Sequence, residues 1–312
     1  MEPDEIDAFI AHWHAAVRQE LTDENEKEEL ILLENHLKRV LRSTPGLAEL
    51  ATSPLLCAML CAVHRDNRQE LPTDRVELYE VCSYALLEKR DLERRVELHD
   101  YPHLTYRQKK LIVQDLAYWM LKNGWARIRY AQALEQIQLK LARMRELPVD
   151  ADAEGILRLL TERSGLVREP SQGEVDFTHR TFQEYFAALA VIDENDIGLL
   201  ISKVGDDQWR EVVILAAGAA PAKTRAQLIN ALLTNTRRKG ANRLVYVLLA
   251  VSCLQSTIEM AQSEQERIRH ALKQIMPPQN EEQARGLAGA GELAVAYLSP
   301  SPGYSESETA LC

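Results

Sequence analysis

The chain is 312 residues long, with 37 lysines and arginines against 47 aspartates and glutamates and a formal net charge of −10. That excess of negative charge argues against general binding to nucleic acid or to an anionic membrane, since both repel an acidic surface. Apolar residues make up 46% of the chain, enough for real cores at a length that suits two or three small domains.

Aromatic residues are few, and long stretches are rich in Ala, Leu, Glu and Arg, which predicts a mainly α, multi-helical protein. The five cysteines are odd in number and follow no disulfide framework, which points to reduced thiols and a cytoplasmic location. The start, MEPDEIDAFIAHW, has no basic segment ahead of an apolar one and does not read as a signal peptide. The longest apolar runs, 212–220 and 244–254, are shorter than the ~20 residues that span a bilayer and read as buried helices.

Pro3 with Asp4 and Glu5 suits a helix start, and Ile6, Phe9, Ile10, Trp13 and Val17 make one apolar stripe. His12 and His14 flank Trp13 and point to different faces, so they read as solvated rather than as a metal pair. Residues 22–41 form a second helix, acidic at its start (Asp23, Glu24, Glu26) and basic at its end (Lys38, Arg39, Arg42). Ser43-Thr44-Pro45-Gly46 breaks it. Ser53 and Pro54 open the next helix, as cap and as first-turn residue. Along it Cys57, Cys61 and His64 share a face. The fourth ligand of a zinc site is not evident and the neighbours are Leu, Met and Ala, so core packing is the reading. Thr73 is the expected cap of a helix running to Arg90, whose basic end (Lys89, Arg90, Arg94, Arg95) complements the helix dipole.

Tyr101-Pro102 interrupts the helical pattern. Thr105-x-x-Gln108 is a capping box that opens a helix with Leu111, Ile112, Leu116 and Trp119 on its buried side, and Asn123-Gly124 stops it. Helices are expected over 130–145 and 150–163, the second facing Ile156, Leu157, Leu159 and Leu160 inward. Gly165 ends it, and 166–177 reads as one short β-hairpin turned by Pro170, Ser171 and Gly173. Helix, helix, hairpin is the pattern of a winged helix. The helix ahead of the hairpin carries Arg158 and Arg163 among Asp152, Glu154 and Glu162, so it lacks the basic face of a groove reader. Beyond Asp196, helices are expected over 208–217, 224–233, 244–254, 256–275 and 281–298, as paired antiparallel helices without a strict repeat. The end, 299–312, is rich in Ser, Pro and Glu and reads as disordered.

The chemistry gathers at Glu174–Ala188, EVDFTHRTFQEYFAA. A short apolar strand (Val175, Phe177) runs into a helix marked by Phe182, Tyr185, Phe186 and Leu189, with His179 at the junction. A helix start offers unpaired N–H groups and the positive end of the peptide dipole, and a histidine there adds a donor or a charge that can face a phosphate. A structural histidine at a buried helix start is the other reading. Glu184, four residues after Arg180, suits the helix surface or an ion pair with that arginine. No Ser or Cys nucleophile is placed with His179 and Glu184, so no hydrolase site is read. The phosphate-cradling motif Gly-x4-Gly-Lys-Ser/Thr is missing, as is an acidic pair after an apolar strand to hold magnesium. This chain alone is therefore not expected to hydrolyse ATP.

Phe177-x-His179-x-x-Phe182-Gln183-Glu184-Tyr185-Phe186-Ala187-Ala188 resembles the winged-helix end of a NACHT-family NTPase, one of the signal-transducing ATPases. Ser53-Pro54-Leu55-Leu56, followed by Leu71-Pro72-x4-Glu77-Leu78-Tyr79-Glu80, resembles the helical subdomain that follows the NACHT ATPase core. Together these stretches carry the resemblance over roughly residues 1–220. It implies a NACHT-type helical subdomain over 1–100, a winged helix over 101–195, a C-terminal helical region over 196–298 and the tail 299–312. It also implies that Pro54 packs on an adenine ring and that His179 contacts the β-phosphate of ADP. ADP or ATP would be held only together with an upstream P-loop core, in the same or a separate chain, and no metal is expected in this chain alone. Release of the winged helix would expose a surface for homo-oligomerisation, in the service of defence or signalling. The alternatives are a stand-alone helical protein-interaction scaffold and, against the charge of its helix, a winged-helix DNA-binding regulator.

Overall fold

Apolar side chains recur at helical spacing through most of the sequence, and the backbone follows that period. The structure, a computed structural model, consists of helices and, among the described residues, one small antiparallel sheet, the mainly α architecture with a winged-helix hairpin that the sequence predicts. It describes residues 1–66, 71–72, 74–89, 101–235, 242–257, 259–276, 278 and 281–288. The expected cap Thr73, the basic residues Arg90, Arg94 and Arg95, the end of the helix expected over 281–298 and the tail 299–312 lie outside the described residues. The chain divides into two compact units, Met1–Arg90 and Asp91–Cys312.

In the first unit α1 (Pro3–Glu20), α2 (Glu24–Ser43), α3 (Pro45–Ala51), α4 (Pro54–Asp66) and α5 (Arg75–Tyr84) follow one another, and α5 continues into a π-helical turn, Ala85–Lys89. Pro3 occupies the first turn of α1, and the Glu2 N–H donates to the Glu5 carboxylate at 2.8 Å. Asp23 caps α2 by accepting from the Asn25 N–H at 2.8 Å, a bond worth ~1 kcal/mol. α1 packs on α2 and α4, and the core between them takes Ile6 and Ile10, Leu30, Leu33, Leu37 and Leu41, and Leu56, Met59, Leu60 and Val63. Ser43-Thr44-Pro45-Gly46 ends α2 as expected, and Pro45 opens α3 directly after Thr44, because a proline that cannot continue one helix fits the first turn of the next. One local expectation is corrected. The N-cap of α5 is Asp74, whose carboxylate accepts from the Glu77 N–H at 2.8 Å, one residue beyond the expected position.

The second unit begins with α6 (Tyr106–Lys122), opened by the expected Thr105–Gln108 capping box. Then come β1 (Arg127–Arg129), α7 (Tyr130–Leu141) and α8 (Ala153–Leu159), followed by a π-helical turn at Leu160–Ser164, then β2 (Val167–Ser171), β3 (Glu174–Phe177) and α9 (Arg180–Asp193). Helix–strand–helix–helix–hairpin is the winged-helix order. Gly165, at φ 69, reverses the chain out of the π-helical turn in a conformation that costs other residues more. Gly173, at φ 79, closes the two-residue turn between β2 and β3. The sheet runs β1-β3-β2, antiparallel throughout, with Ile128 opposite Val175 and Val167 opposite Phe177. The expected hairpin is thus part of a three-stranded sheet; β1 is a single buried Ile128 between two exposed arginines, too short for an alternation to show. α7 stops at Leu141, short of the expected 145, and α8 starts later than expected because Asp152 caps it through the Gly155 N–H at 2.6 Å.

Beyond α9 come α10 (Ile197–Ser202), α11 (Asp207–Ala219), α12 (Ala222–Asn235), α13 (Arg243–Gln255), α14 (Gln262–Lys273) and α15 (Glu281–Ala288). α13 packs on α11, α12, α14 and α15. The helix expected over 256–275 is corrected: it begins only at Gln262. The hydroxyls of Ser256 and Thr257 donate to the Cys253 and Leu254 carbonyls, each at 3.1 Å, and such side-chain bonds compete with helix continuation. Among the described residues no helix is long and apolar enough to cross a membrane.

Candidate functional site

β3 delivers the chain to His179. Val175 and Phe177 are buried in the sheet, and the Thr178 N–H donates to the Leu166 carbonyl at 2.8 Å. His179 follows in an extended N-cap conformation, φ −132 and ψ 127, with no capping hydrogen bond from its side chain, and it is exposed. The first turn of α9 contains no acidic residue. The positive end of the helix dipole therefore meets no carboxylate in that turn and sits beside an exposed imidazole.

The helix behind His179 is fixed from several sides. α9 packs on both α6 and α11; Phe182, Tyr185 and Phe186 are buried, and Ala187, Ala188 and Ala190 keep the packing close. Tyr185 and Phe186 meet edge to face with ring centroids 5.2 Å apart. The Gln183 side chain donates to the Trp125 carbonyl at 3.2 Å. Glu184 forms its expected pair with Arg180, Nε to Oε1 at 2.9 Å, but it is buried rather than on the surface. Thr181 Oγ1 is also buried and has no hydrogen-bond partner among the described residues. Reading the sequence missed Gln183 as a support of the helix start, since its role depends on Trp125, a neighbour distant in sequence.

Pro54 opens α4 and is exposed, and the Cys57 N–H closes the first turn onto the Ser53 carbonyl at 2.9 Å. It belongs to the first unit, whereas His179 belongs to the second. Further along α4, Cys57, Cys61 and His64 are all buried. The hydrogen bond between Cys57 and Cys61, together with burial, pushes the Cys61 thiol up; burial lifts Cys82 to about 12. Among the described residues no group of three or more His, Cys, Asp and Glu has the geometry to hold a metal.

His64 instead faces another imidazole. Its Nε2 lies 2.8 Å from Nδ1 of His36 on α2, with the rings stacked at 5.1 Å between centroids. Burial, with His36 and His14 adding to it, drives His64 down to about 4. His14 corrects the expectation of a solvated residue. It is fully buried, Nδ1 donates to the Ile10 carbonyl at 2.8 Å, and burial lowers its pKa. The signal was present in the sequence, because His14 stands four residues after Ile10 on the row of Ile6 and Ile10. His12 is exposed, as expected.

Residues 75–191 match the family model of the winged helix-turn-helix domain C-terminal to NACHT. This segment is similar to a NACHT-associated winged helix. The match runs from the start of α5 through the three-stranded sheet and into α9, so it includes His179 and leaves Pro54 outside. What matches is the domain that follows the NACHT core, not the core itself. No curated protein matches the chain.

Proposed function

We propose that this chain is the nucleotide-sensing, regulatory portion of a NACHT-type NTPase and works with a P-loop core in the same chain or a partner chain. One observation carries the reading: the segment that matches the NACHT-associated winged helix contains an exposed N-cap histidine at the start of α9, whose first turn has no acidic residue. In this reading His179 donates to the β-phosphate of ADP, and Pro54, exposed at the start of α4, covers the adenine ring. Both contacts belong to the closed, ADP-loaded state. ATP shifts the population to an open state in which copies of the switch associate. The chain supplies the latch, while hydrolysis stays with the core. The setting is cytoplasmic signalling or defence.

The helix before the wing speaks against groove reading. Arg158 is paired with Glu162 at 3.7 Å, the Tyr130 hydroxyl donates to Glu154 at 3.0 Å and the Tyr101 hydroxyl donates to Glu162. That surface is spent on internal pairs of mixed sign and offers DNA no basic face.

The test is His179→Ala in the complete switch. Losing one hydrogen bond to a charged group should weaken ADP binding about tenfold. A fluorescent ADP analogue should then dissociate faster, and the oligomeric fraction in ADP should rise. An unchanged release rate with an unchanged or lower basal oligomer would overturn the latch.

A further inference from the structure

A cleft in the second unit gathers the positive charge that most of this acidic chain lacks. A cavity of about 680 Å³ lies between the start of α6 and the end of α7 with the segment that follows it, and Arg107, Lys140, Arg143 and Arg145 line it against one carboxylate, Glu146. Lys140 and Arg143 share a single buried partner, Asp115, at 3.3 and 3.1 Å. Arg107 and Arg145 are exposed and form no ion pair among the described residues. Four cations therefore face two carboxylates, on a chain whose net charge is −10. A concave wall of this kind focuses the field of its charges and raises the local concentration of anions.

The walls are tied together. The Gln108 side chain, held in the α6 capping box, donates to the Glu146 carbonyl at 3.1 Å, which fixes the segment after α7 to the start of α6. Leu111 and Met144 add apolar surface to the lining. The volume falls within the range of about 300–1,000 Å³ typical of small-molecule sites, and guanidinium groups match phosphate oxygens with paired donors.

We propose that this cleft binds a small molecule carrying two or more phosphate groups, with Arg107 and Arg145 as its primary donors. A concavity of this size favours a compact anion over an extended nucleic-acid backbone, and the nearby α8 carries its own carboxylate, Glu154. The proposal does not depend on the latch reading, because neither Pro54 nor His179 lines the cleft.

Calorimetric titration of the 312-residue chain with inorganic tripolyphosphate at low salt tests it. Saturable one-to-one binding that weakens as salt rises is expected, with about a tenfold loss in Arg107→Ala and again in Arg145→Ala. Glu146→Gln should tighten binding, and His179→Ala should leave it unchanged. Both arginines are exposed, and circular dichroism checks each variant; Arg107→Gln and Arg145→Gln replace any alanine variant that fails to fold. No saturable binding, binding indifferent to both arginine variants, or weakening in Glu146→Gln would overturn the site. A DNA duplex that binds more tightly than tripolyphosphate through the same arginines would overturn the small-molecule assignment.

Discussion

His64 has no exposed surface, one ring nitrogen bonded to His36 and the other, Nδ1, buried without a hydrogen-bond partner among the described residues. Its folded pKa of about 4 lies below the ordinary 6.5, so the unfolded chain takes up the proton first. The stability tied to neutral His64 is fully present above about pH 6.5 and is lost as pH falls toward 4, by roughly 2–3 kcal/mol. His14, also lowered by burial, acts in the same direction. Burial alone would raise Glu34, but hydrogen bonds from Lys38 and Arg18 outweigh it and hold this carboxyl below its ordinary range, so its loss comes at lower pH. The urea midpoint of the first unit should fall between pH 7 and pH 4.5, and His64→Leu should flatten that slope; a midpoint that holds or rises over the interval would contradict the assignment. At this scale the sequence was half legible. Pro54 and His179 stood out because each opens a helix beside a recognisable run, whereas His14 was misread as solvated although its spacing from Ile10 places it on the buried row. The His36–His64 contact did not, because it joins residues 28 apart on separate helices.

The element that organises the second unit is α9, held between α6 and α11. Phe186 is completely buried and touches Tyr185 and Phe182, so Phe186→Ala should cost about 3–5 kcal/mol by leaving a cavity. Ala187 is equally buried, and Ala187→Leu should cost about 1–3 kcal/mol by the opposite route, overpacking. Chemical denaturation of the two variants checks both, and a near-neutral result for either would mean that α9 has room to shift against its neighbours. This helix was legible because its large residues repeat at helical spacing directly after a turn-bounded strand. β1 was not, since Arg127-Ile128-Arg129 offers one apolar residue and becomes a strand only through β3. The break between α13 and α14 was missed for a related reason: Ser256 and Thr257 are neutral by periodicity and end the helix through the carbonyls their hydroxyls find.

At the scale of the whole molecule, Met1–Arg90 and Asp91–Cys312 each bury a core of their own. Expressed separately, each piece should give a helical circular-dichroism spectrum and a cooperative melt; a piece without a cooperative transition would show that its core needs the other. The winged helix was legible at this scale from the order of its helices and hairpin, although the middle position of β3 was not. That position has a mechanical meaning. β3 is bonded along both edges, to β1 and to β2, and Thr178 is pinned to Leu166 before the chain reaches His179. The imidazole thus stands two residues beyond a strand held on both sides, like a needle mounted close to its dial. Under the proposed contact with nucleotide, a displacement at its tip would be carried by the sheet and α9 together rather than absorbed at the junction.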